Sequence, residues 1–152
     1  MIRSIPNWPT LLHEYLAERM NAPFVWGKND CCLFACDAVF EMTGFDLAID
    51  FRSKYDSALS AIRAMQEFVS DSSVENSHLV GAVAARIAAQ HEIKEIPVLM
   101  AQRGDVALVL AARGESLGIV SLRGDSVLSP GEKGLVALPL KMALKAWRIP
   151  KA

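Results

Sequence analysis

Apolar positions recur at helical spacing through the first part of the chain and then give way to short apolar runs broken by turn residues. Leu11, Leu12, Tyr15 and Leu16 follow Trp8-Pro9, where proline suits the first helical turn, and Pro23 marks where that helix must have ended. A second helix is predicted from Cys31 to Met42. Asp30 stands at its N-cap, because a carboxylate there accepts from backbone N–H groups one turn on. Thr43-Gly44 stops it, glycine being suited to the left-handed position beyond a helix end. Leu33, Phe34, Ala35, Ala38, Val39 and Phe40 make this helix apolar nearly all round, which predicts a central, buried element. Ser57 to Val69 reads as an amphipathic helix with Leu59, Ile62, Met65 and Phe68 near one face. Leu79 to Gln90 reads as another, with Val80, Val83, Ala84 and Ile87 for packing.

After His91 the pattern is that of strands. Val98-Leu99-Met100 leads into the turn Arg103-Gly104-Asp105, and an apolar strand follows from Val106 to Ala111. Arg113-Gly114-Glu115 turns into Leu117 to Leu122, and Arg123-Gly124-Asp125 turns into Ser126-Val127-Leu128. Gly134 to Leu140 and Ala146 to Ile149 complete about five short strands. Helices first and strands later is the α+β order, with an antiparallel meander or small barrel of strands. The 152 residues favour a single domain, 1–152, around one core.

Composition narrows the classes. A hydrophobic fraction of 52% with 22% charged residues is ample for burial and unlike a disordered chain. Sixteen basic against seventeen acidic residues, with no long basic run, argue against a nucleic-acid surface. The apolar runs are far below the roughly 20 residues needed to span a bilayer, so no transmembrane segment is predicted. The opening Met1-Ile2-Arg3-Ser4-Ile5-Pro6-Asn7-Trp8 has no apolar run of the secretory type, which predicts synthesis in the cytoplasm and export only with a carrier such as a virion.

Cys31, Cys32 and Cys36 lie within six positions. Adjacent cysteines rarely bridge, and an odd cluster is a poor disulfide framework. The spacing lacks the second ligand pair of a zinc site, and three thiolates fall short of the four that iron–sulfur clusters usually take. No metal and no cofactor is predicted. By position alone Cys31 suits two roles. It is either a small buried side chain, or a nucleophile whose thiolate is favoured by the start of a helix.

Three local motifs together resemble the NlpC-type branch of the papain-like cysteine peptidases. Phe24-Val25-Trp26-Gly27-Lys28-Asn29-Asp30-Cys31 is similar to that family's aromatic-Trp-Gly approach to the Asp-Cys pair opening its nucleophile helix. Arg103-Gly104-Asp105-Val106-Ala107-Leu108 resembles its Gly-Asp turn and apolar strand, and Leu117-Gly118-Ile119-Val120 the end of its His-x-Gly-Ile strand. The resemblance spans roughly residues 23 to 140 and implies a papain-like, NlpC-type α+β fold. It implies Cys31 at the nucleophile position, Ser116 where the family has its histidine base, and Leu128 at its third position. Serine is not basic near neutral pH and leucine has no hydrogen-bonding group, so neither replaces what a base requires. His13, His78 and His91 fall in other segments, and Asp37 lies on the far side of the helix from Cys31. Glu115 is the carboxylate beside Ser116. With Trp26 and Asp30 it is a candidate binding residue. Asp105 and Asp125 are read as organisers of their own turns.

The chain ends, Trp8…Leu12 and Gly134-Leu135…Ala146-Trp147-Arg148, resemble small NlpC-like proteins of phage and prophage tail clusters. That likeness implies a tail-tip or tail-assembly protein, made in the host cytoplasm and carried in the virion. Its partners would be other tail-tip proteins, with peptidoglycan as a further candidate, and peptidase chemistry would be lost. The alternative is a working cysteine amidase or endopeptidase on peptidoglycan stems, with Cys31 as nucleophile.

Overall fold

The computed structural model describes residues 2–152. Among them, α1 spans Trp8–Arg19, α2 Cys31–Thr43, α3 Ala58–Val69 and α4 Leu79–Gln90. The strands are β1 Glu95–Ile96, β2 Val106–Ala111, β3 Gly114–Val120, β4 Ser126–Gly131, β5 Gly134–Pro139 and β6 Lys145–Trp147. They form one antiparallel sheet in the order β1-β6-β2-β3-β4-β5. The α+β order read from the pattern therefore holds, with a meander from β2 to β5 and β6 returning to the other side of β2.

The helix signals act as local chemistry predicts. Asp30 has extended backbone and accepts from Leu33 N–H at α2's start, and Gly44, at φ 76°, ends it in the left-handed conformation. Ser57 caps α3 through a reciprocal bond with Ser60. α1 stops at Arg19, before Pro23. Nine residues of α2, from Cys31 through Met42, are buried, so it is the central helix. Its Phe40 is an exception on the outer side. On α3 the inward face is Ala61 with Met65, Phe68 and Val69, whereas Leu59 is exposed, contrary to the pattern.

Three expectations for the strand region are corrected. There are six strands among the described residues rather than five, because Glu95-Ile96 pairs with β6 over two residues, too short to show as a pattern. Val98–Met100 is a turn of 3₁₀ helix set off by Pro97, not an extended lead-in. The β2–β3 turn is Ala112-Arg113, with Ala111 opposite Gly114, so Glu115 belongs to a strand.

The sheet is buried on both sides. Leu108, Leu117 and Ile119 face the large core built by α1, α2 and α4. Ala107, Val109, Val120, Val127 and Ala146 form a second, smaller core with Ala101 and Leu140, under the 3₁₀ turns Val98–Met100 and Leu140–Met142. Double burial is why β2 reads as a continuous apolar run rather than an alternating one.

Asp105 does more than shape its turn. Wholly buried, its carboxylate accepts from Gln102 N at 2.9 Å, Arg148 Nε at 3.0 Å, Ile149 N at 3.0 Å and Lys151 Nζ at 2.7 Å. It ties the end of the chain to the start of β2. Asp125, by contrast, stays in an exposed turn with Ser121 and Ser126.

Candidate functional site

The approach to α2 is a tight polar structure. Gly27 sits at φ 80°, and a Cβ there would come within 2.3 Å of the Tyr55 carbonyl oxygen, so both conformation and space call for glycine. Its N–H donates to Asp30 Oδ2 at 2.9 Å, and the Tyr55 hydroxyl donates to the same oxygen at 2.7 Å. Asp30 Oδ1 takes the Leu33 N–H at 3.0 Å. Burial, followed by the neighbouring Asp30 carboxylate, pushes the Tyr55 phenol far above its ordinary range, so it remains a donor. Asp30→Ala should cost about 2 kcal/mol, the N-cap and a buried charge-assisted bond both being lost, and Tyr55→Phe less. Urea denaturation of the two variants measures this.

Cys31 is the first residue of α2 and is buried. The bond from Cys32 draws the Cys31 thiol below its ordinary range, with burial opposing. Cys32 is correspondingly pushed up, first by that bond and then by burial. Cys36, one turn on, is pushed up by burial. It lines an apolar cavity of about 40 Å³ between α2, α4 and the sheet. All three thiols are free. Among the described residues no group of three or more His, Cys, Asp or Glu side chains is placed to hold a metal ion.

Ser116 is buried on β3, 2.7 Å from the hydroxyl of Ser129 on β4, and Ser129 donates to the Leu117 carbonyl at 2.8 Å. The polar side chain beside Ser116 is therefore Ser129 and not Leu128. Leu128, half-buried, packs with the large core. Successive strand residues point to opposite sides, so an offset of one residue exchanges a hydroxyl for an isobutyl group. Ser129 carried a signal that sequence reasoning passed over: a polar residue inside an otherwise apolar strand. Tyr55, distant in sequence from Asp30, carried none.

Glu115 is engaged at the start of α4. Its carboxylate accepts the Gly81 N–H at 3.0 Å in the first turn of α4 and lies 3.2 Å from His78 Nδ1. Its role is to hold a helix start. Trp26 is half-buried and meets Phe24 edge-on at 4.8 Å, while the Arg113 guanidinium lies 4.1 Å over the Phe24 ring. Trp147 lies in the core. The histidines are dispersed: His13 exposed on α1, His78 beside Glu115, and His91 against Phe45 at the end of α4. Asp37 is held between Arg19 at 3.2 Å and Arg52 at 2.7 Å.

This arrangement has a buried thiol at a helix start and a pair of buried hydroxyls joined across two neighbouring strands. Among solved structures, the chain is similar to the NlpC/p60 domain of the peptidoglycan hydrolase SagA. The TM-score is 0.51 and the identity 14%, over 92% of this chain and 97% of that one. The likeness is one of fold. No curated protein matches the chain. The model of a family described as Domain of unknown function (DUF6950) matches residues 3–149, nearly the whole chain, and the protein belongs to that family.

Proposed function

We propose that this protein is a phage or prophage tail-tip or tail-assembly component that keeps an NlpC-like fold without peptidase activity. One observation carries the loss of activity: the β3 position implied for the base holds Ser116, a buried hydroxyl paired at 2.7 Å with the Ser129 hydroxyl. Neither accepts a proton near neutral pH as an imidazole does, and cysteine acyl transfer needs such a group to activate the nucleophile and protonate the leaving amine. Ser116 hydrogen-bonds to another hydroxyl, Glu115 is engaged at α4, and the histidines serve other elements. A structural role is supported by exposed apolar side chains on and beside the two 3₁₀ turns at the sheet's end. Leu99 is 82% exposed, Met142 64%, Met100 62% and Leu144 51%. Such surfaces suit burial against partners. In this reading the protein is made in the host cytoplasm and ends in the virion tail.

Incubation with peptidoglycan fragments, followed by mass analysis, should give no cleavage products. Cleavage that Cys31→Ala abolishes would overturn the proposal. Mass spectrometry of purified tails tests the placement, and absence of the protein from them would defeat that part.

A second reading has one observation in its favour, the placement of Cys31 as the first residue of α2, directly after the capping Asp30. It makes the protein a cysteine amidase or endopeptidase on peptidoglycan stems, with Cys31 as nucleophile. It requires detectable turnover in the same assay.

A further inference from the structure

Where helices face each other with small side chains, either the backbones close up or a gap stays between them. α2 contributes Ala35, Cys36 and Val39, and α4 contributes Ala84, Ile87 and Ala88, to the walls of the apolar cavity of about 40 Å³. Both ends of α4 are fixed by other elements. At its start the Gly81 N–H donates to Glu115 of β3 at 3.0 Å. At its end the His91 ring meets Phe45, just past α2, edge-on with centroids 5.0 Å apart. Along its length the helix packs on α3 and β3. Moving α4 onto α2 would break these contacts, so the fold holds the cavity open.

Apart from the Cys36 thiol and the Trp147 indole, every lining side chain is aliphatic. All are buried except Val106, which is half-buried at the start of β2. A buried water makes about three hydrogen bonds, more than one thiol and one indole supply, so the lining favours an apolar guest over solvent. Wall atoms beside an empty space also lack dispersion partners, which a guest of matching size restores. Since about 10–15 Å³ of such space holds one water, the cavity has room for about three heavy atoms. We infer that this cavity is a binding site for a compact apolar molecule of about that size, seated between α2 and α4 against the Cys36 sulfur. Ligands so small reach about millimolar affinity at best. Cys31 is not among the lining residues, so occupancy is independent of peptidase chemistry.

The test uses the full chain with labelled methyl groups, followed by NMR under rising pressures of xenon and of cyclopropane. The methyl signals of Val39, Ile87, Ile93 and Leu117 should shift together and saturate. Those of Val109, Val120 and Val127 in the smaller core should stay in place. 1-Hexanol, too long for the space, should leave all of them unmoved. Ala84→Leu fills the gap and should abolish the shifts, whereas Cys36→Ala widens it and should keep them. Shifts that fail to saturate, that spread over both cores alike, or that persist in folded Ala84→Leu overturn the inference. So does a response to 1-hexanol in place of cyclopropane, which would mark a site for the end of a longer chain.

Thiol labelling provides a readout that does not need Ala84→Leu to fold. In Cys31→Ala/Cys32→Ala, Cys36 is the sole thiol. Methyl methanethiosulfonate, compact and uncharged, should convert it to the methyl disulfide with release of methanesulfinate, and dissolved cyclopropane should slow the reaction by occupying the cavity. The sulfonatoethyl reagent, which is charged, should react far more slowly. A rate indifferent to cyclopropane, or equal for the two reagents, overturns the inference, because the thiol would then be reached by general opening of the fold.

Discussion

Asp105→Ala lowers stability by about 3–5 kcal/mol, the range for removing one partner from a buried ion pair. The side chain is wholly buried and receives four hydrogen bonds, two from backbone N–H groups and two from cations. Deleting it leaves Arg148 and Lys151 facing a low-polarity gap and orphans the Gln102 and Ile149 amides. Burial already lowers the Lys151 ammonium below its ordinary range, and the Asp105 carboxylate is what counters that. Lys151 and Arg103 also lie over the Trp8 ring, at 5.5 and 5.3 Å, so the loss reaches the start of α1. For a chain of this size the melting temperature should fall by about 10 °C or more. Arg148→Ala should cost less, because Asp105 keeps three partners. Thermal and urea denaturation decide it, and a loss under about 1 kcal/mol would mean that the carboxylate is not what holds the chain end.

Gly118→Ala is the second large effect, at about 3 kcal/mol, near the upper end for inserting a methyl group into a packed interior. A Cβ at Gly118 would stand 2.4 Å from the Leu128 carbonyl oxygen and 2.6 Å from Val127 Cγ1. The first of these is backbone of the neighbouring strand and cannot swing aside, so β3 and β4 must separate. Ser116 and Ser129 lie across that same junction, and their bond should lengthen with it. Gly114→Ala is the comparison: it meets no atom within 4 Å and suffers only from its φ of 108°, a cost of about 1 kcal/mol. Equal losses at the two positions would refute the close-approach account. The Leu117-Gly118-Ile119-Val120 motif thus has a physical reason that its sequence does not display, namely room for the next strand.

Helix boundaries were legible because their causes lie within a few residues. Asp30 reaches Leu33, Ser57 reaches Ser60, and Gly44 takes the left-handed conformation on its own account. The family resemblance drew on the same short-range features, and the likeness of fold to an NlpC/p60 domain agrees with it. The 3₁₀ turn at Val98–Met100 was illegible because three apolar residues after a proline fit an extended run as well as a tight turn. The short β1 depends on β6, which lies far along the chain.

The amino-acid order alone determined four helices followed by strands, a buried central helix, and a cysteine directly after an N-capping aspartate. Only the tertiary structure decided that Ser129 rather than Leu128 meets Ser116, that Glu115 serves α4, and that Asp105 gathers the chain end. Caps and breakers act through bonds to near neighbours. Which side chains meet across a sheet depends on strand register, where a shift of one residue reverses every face, and that register is set by distant packing.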